Sequence, residues 1–96
     1  MASDDDPLIR RLREQVSDND VALIAAMNRR LELVRRMWDV KQSLGREVLD
    51  PEREEWMLRY LNRANRGPLS PDGLEELFAT VLELTKRELG RQDEAG

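Results

Sequence analysis

The chain predicts an all-α fold of three helices, one long and two shorter. Its apolar residues recur at steps of three and four, the period of a helix with one buried face. Asp6-Pro7, Asp50-Pro51 and Ser70-Pro71 each set a capping side chain before a proline. Asp or Ser accepts from the first free N–H groups of a helix, and Pro is tolerated at the first helical position. No stretch shows the strict alternation of a half-buried strand, and no internal repeat or Gly-rich phosphate loop occurs.

Residues 1–6 are expected to form a disordered acidic tail, closed by Asp6 as an N-cap. The first helix then runs from Pro7 to about Ser43, longer than a globular helix usually is. A helix of that length is expected to bridge two cores or two subunits. Gly45 ends it, and SLGREVL forms a loop. The second helix opens at Asp50-Pro51-Glu52, with Trp56, Met57, Tyr60 and Leu61 spaced for one face. Asn65-Arg66-Gly67-Pro68 breaks it. The third starts at Ser70-Pro71, with Leu74, Leu77, Phe78, Val81, Leu82, Thr85 and Leu89 on its buried face and Gly90 as a C′ stop. One domain is expected over 7–91, followed by a frayed tail over 92–96.

The 96 residues suffice for one domain. A lone three-helix monomer of this size buries little, so a helical homodimer is expected. The absence of Cys excludes disulfides and thiolate chemistry, and the absence of His removes the commonest general base and metal ligand. A net charge of −4 argues against a nucleic-acid partner. No apolar run is long enough to span a bilayer, and MASDDDP is too acidic for a signal peptide. The expected location is therefore cytoplasmic.

The stretch RLELVRRMWDVK, residues 30–41, holds the main conflict in the pattern. The helical stripe through it reads Ile9, Arg13, Val16, Asp20, Leu23, Met27, Arg30, Val34, Met37, Lys41. Three cations thus interrupt an apolar face, at a free-energy cost unless an anion meets them. Arg30 and Lys41 stand about 16 Å apart along the axis and on nearly one face, so their long side chains can reach one small anion. Arg13 is roughly 25 Å from Arg30 and would have to serve such a site from a second copy of the chain. Alternatively, all three flank the core and extend to water.

The serines have no visible base partner, and Glu54, Glu55 and Glu83 have no paired spacing that argues for a metal. No metal site is expected from these acids. Electrostatic catalysis remains, in which fixed donors stabilise charge that develops in the transition state.

LREQVSDND, NRRLELVRRMWDVK and LDPEREEWML together resemble the all-helical chorismate mutases, over roughly residues 7–89. That family places an Arg near the start, then an Arg, a Lys eleven positions on, and D-x-x-R-E opening the second helix. Arg13, Arg30, Lys41 and Asp50 to Glu54 follow that order and spacing. The resemblance implies an intertwined homodimer that converts chorismate to prephenate by an intramolecular Claisen rearrangement, towards phenylalanine and tyrosine. Arg30 and the partner's Arg13 would hold the substrate carboxylates. Lys41 would donate to the ether oxygen and to a carboxylate. Arg53 would add positive charge, and Asp50 and Glu54 would meet the ring hydroxyl. Thr85 matches a family Ser. The family's second donor to the ether oxygen, a Gln or Glu, falls on Leu89, which cannot donate; Glu88, one position away, would replace it in its protonated form. The rival expectations are an isochorismate-pyruvate lyase on the same fold, and a non-catalytic helical dimer that regulates or scaffolds an aromatic-pathway enzyme.

Overall fold

A computed structural model of the chain describes residues 6–95, with side chains described through Arg91. The tail expected over residues 1–5 lies outside the described residues. Three α-helices follow in order: α1 (Pro7–Ser43), α2 (Pro51–Ala64) and α3 (Pro71–Ala95). No strand occurs among the described residues.

Each start signal does its expected work. Asp6 belongs to α1 as its cap, its Oδ1 accepting from the Leu8 N–H at 2.8 Å and the Ile9 N–H at 3.4 Å. Asp50 Oδ1 accepts from the Arg53 N–H at 3.1 Å, and Ser70 Oγ from the Gly73 N–H at 3.0 Å. In each case an otherwise orphaned donor of the first turn is satisfied.

The end of α1 is equally well defined. Gly45 takes φ +70°, its N–H bonds the Gln42 carbonyl at 3.0 Å, and the Arg46 N–H reaches the Lys41 carbonyl at 2.8 Å. That paired pattern is a Schellman motif, which needs a left-handed residue at the glycine position. After α2, Gly67 (φ +75°) precedes a cis peptide to Pro68, and Asn65 braces the turn by donating to the Leu69 carbonyl at 2.8 Å.

Gly90 does not stop α3, which continues through it to Ala95. Gly90 is absent from the left-handed glycines of the chain. Without that left-handed turn a glycine only weakens a helix and does not end it.

The chain divides within α1 into two units, Met1–Leu33 and Val34–Gly96. The described part of the first unit is a stretch of α1 alone. There Leu8, Leu12, Val16, Val21, Leu23 and Ile24 are all at least half exposed. The second unit contains the buried core: Trp38 from α1, and Leu74, Phe78, Thr85 and Leu89 from α3. Half-buried Met57, Leu58 and Leu61 supply the inner side of α2, which packs on α3.

Several burial expectations change here. Leu77 is 50% exposed, because it lies on the flank of the face defined by Leu74, Phe78, Thr85 and Leu89. Trp56 and Tyr60 are exposed at the edge of α2, while Met57 and Leu61 turn inward. Trp38, which is not on the predicted stripe, is the buried residue of α1, whereas Met37 on that stripe is exposed.

Candidate active site

Three short segments of the second unit carry most of the sequence-predicted site: the last turn of α1, the first turn of α2 and the middle of α3. Lys41 stands on that last turn of α1. The Schellman bonds fix its backbone carbonyl, and its half-buried side chain donates from Nζ to the Val48 carbonyl at 3.4 Å. The ammonium thus faces the loop that leads into α2.

In the first turn of α2, Asp50 is committed to capping through Oδ1. Arg53 swings its guanidinium over the Trp56 ring, 4.3 Å from the centroid, and Trp56 stacks on Tyr60 at 5.3 Å and 8°. A cation over an indole face is attracted by the ring quadrupole. The i, i+3 and i, i+4 spacing puts these three side chains on neighbouring positions of one helix surface. Glu54 is more enclosed, its side chain 29% exposed, and Lys86 from α3 meets it at 3.2 Å on Oε2 and 3.5 Å on Oε1.

On α3, Thr85 is buried and its hydroxyl donates to the Val81 carbonyl at 2.7 Å. Glu88 lies further out, half-buried and paired with Arg91 at 3.0 Å. Leu89 is fully buried. Its carbonyl accepts from Arg35 Nη2 at 2.8 Å, and the same guanidinium reaches Asp39 at 3.6 Å and lies 5.8 Å from the Trp38 ring centroid. Arg35 therefore ties α1 to α3 beside the candidate residues.

The structure thus joins Asp50 to Arg53 through the cap and brings α3 to Glu54 through Lys86. Glu88 is directed to Arg91 and not to another candidate. Arg13 and Arg30 belong to the first unit, where Arg13 is exposed and Arg30 half-buried on α1. Lys86, Arg35 and Trp38 were absent from the sequence-derived set. The Arg53–Trp56 spacing is a signal that local sequence carries. The Glu54–Lys86 and Arg35–Leu89 contacts join residues 32 and 54 positions apart, and no local pattern announces them.

Chemically, the second unit offers the ammonium groups of Lys41 and Lys86, the carboxylates of Asp50, Glu54 and Glu88, and a guanidinium held on an aromatic stack. It has hydrogen-bond donors for an anion and acceptors for a hydroxyl. Among the described residues no cluster of three or more acidic side chains could hold a metal ion, and no helix is long and apolar enough to cross a membrane.

The family model for chorismate mutase type II matches residues 12–88, a span that takes in every candidate from Arg13 to Glu88. Two structures of chorismate mutase from Thermus thermophilus are similar to this chain at 30% sequence identity. The form II structure gives a TM-score of 0.81 over 88% of this chain and 96% of that one. Form I gives 0.77 over 80% and 96%. The T-protein of Enterobacter agglomerans is 35% identical over 72 residues, 74% of this chain, and the chain spans only 19% of that protein's length. With most of its length matched by the family model, the chain belongs to the type II chorismate mutase family.

Proposed function

We propose that this chain is a chorismate mutase, an isomerase that converts chorismate to prephenate as an intertwined homodimer in the cytoplasm, on the route to phenylalanine and tyrosine. The observation that carries this reading is Lys41 at the Schellman-closed end of α1, its ammonium donating to the Val48 carbonyl in the loop that opens into the acidic first turn of α2. A cationic donor and hydroxyl acceptors are what the substrate's ether oxygen and ring hydroxyl require.

The reaction breaks one C–O bond and forms one C–C bond within a single molecule, with no net gain or loss of atoms. Negative charge gathers on the departing ether oxygen. Lys41 donates to that oxygen, and a fixed donor counts for more there than in water because it need not reorganise. Arg30 and the partner subunit's Arg13 hold the two carboxylates, and Arg53 adds positive charge. Asp50 and Glu54 accept from the ring hydroxyl, Thr85 lines the site with a hydroxyl, and Glu88 is the second donor. No metal or organic cofactor enters the scheme.

The dimer reading is supported by the apolar side chains left exposed along the first unit. A helix whose apolar face meets only water gains little from folding, so a partner helix is needed to cover it. Chorismate consumption by the purified chain, with the product identified as prephenate, tests the activity. Release of pyruvate when isochorismate is supplied would indicate lyase chemistry instead. A second reading draws on Leu89, which fills the second-donor position and is fully buried. It takes the chain as a helical dimer whose main task is to regulate an aromatic-pathway enzyme. Turnover that appears only with such a partner would favour it.

A further inference from the structure

We infer that Lys86 is a positioning residue that braces Glu54 for the substrate's ring hydroxyl and so sets hydroxyl recognition. The inference rests on the proposed mutase reading. Glu54 is a long side chain in the first turn of α2, and its carboxylate is only partly enclosed, at 29% exposure. Left alone, such a chain samples several rotamers, and binding a hydroxyl would require freezing them.

Lys86 removes that freedom. Its Nζ lies 3.2 Å from Oε2 and 3.5 Å from Oε1 of Glu54, spanning both oxygens of the carboxylate. A point cation across both oxygens fixes the plane of the group. It also leaves lone pairs on the far side to accept from an O–H. The neighbouring cation on α2 does not do this, since Arg53 is drawn onto the Trp56 ring. The brace comes from α3, next in sequence to Thr85, whose buried side chain anchors that part of the helix. The packing of α2 on α3 therefore decides where the Glu54 oxygens sit.

An ion pair with partners 44% and 29% exposed adds little to stability. Its effect belongs in recognition, where small misplacements of a polar group are costly. Lys86→Met is expected to lower kcat/KM for chorismate by about tenfold while moving Tm by no more than about 3 °C. Lys86→Arg, which keeps a cation, should recover most of the loss. With a chorismate analogue lacking the ring hydroxyl, Lys86→Met and the parent chain should differ by less than about twofold, because Glu54 then has nothing to receive. In a Glu54→Gln background, Lys86→Met should add no further loss.

An equal loss on chorismate and on the analogue would overturn the inference, as would unchanged kcat/KM for chorismate in Lys86→Met. No turnover of chorismate by the parent chain would overturn the mutase reading together with it. Parent turnover with an unaffected Lys86 variant would sink the positioning role alone.

Discussion

At the scale of single residues, the chemistry turns on how few side chains do more than one task. Asp50 illustrates the problem, because its Oδ1 already caps α2. Asn caps as well as Asp but carries no charge, so Asp50→Asn and Asp50→Ala separate the two tasks. Asp50→Ala should cost about 1 kcal/mol of stability and Asp50→Asn almost none, by urea denaturation. If the Asp50 carboxylate also binds the ring hydroxyl, both variants should lose kcat/KM, and a fully active Asp50→Asn would leave it a cap only. Glu88 poses the second question, since Arg91 holds its carboxylate at 3.0 Å. As the second donor it must leave that pair and carry a proton. Glu88→Ala should then lower kcat by the equivalent of about 1–3 kcal/mol, while Glu88→Gln keeps a donor and most of the rate. Unchanged kcat in Glu88→Ala would assign the ether oxygen to Lys41 alone.

At the scale of elements, the closure of α1 matters most for the site. The Arg46 N–H and the Gly45 φ of +70° fix the last turn, and Lys41 supplies one of the carbonyls in that motif. Gly45→Ala meets no steric obstacle, as no atom lies within 4 Å of the added Cβ, but it must adopt a left-handed backbone. The expected cost is about 1–2 kcal/mol of stability, read as a lower urea midpoint at constant m. Activity should fall further than stability, because fraying of that turn releases the backbone that carries Lys41.

At the scale of the whole molecule, the described part of the first unit is a helix segment with apolar side chains left exposed among the described residues. Val21 is 69% exposed, Ile24 62% and Leu23 59%, values at odds with a folded monomer's own core. Ile24→Asp should dissociate the dimer and unfold the helix together, seen as a halved mass by light scattering with loss of helical circular dichroism. A site shared between chains also predicts complementation. Arg13→Ala and Arg30→Ala homodimers should each be nearly inactive. Equal mixing with full subunit exchange should restore about a quarter of wild-type activity, since half the dimers are mixed and each mixed dimer keeps one intact site of two. No recovery after verified exchange would rule out the shared site.

Local signals in the sequence determined the helices and much of the candidate site. Asp6, Asp50 and Ser70 announced three starts, and Gly45 announced one end, because capping and left-handed turns are chosen by a few adjacent residues. The Arg13, Arg30, Lys41 and Asp50–Glu54 series was legible because it follows the spacing of a known family. Other features depended on which helix lies beside which. Trp38 is buried and Leu77 is not, although helical period alone gave the opposite expectation, because burial depends on the facing element as well as on period. Gly90 continues α3 because a glycine stops a helix only when its backbone turns left-handed. Lys86 meets Glu54, and Arg35 meets the Leu89 carbonyl, across 32 and 54 residues. Contacts at such separations are created when helices pack, so only the tertiary structure could decide which cation meets Glu54.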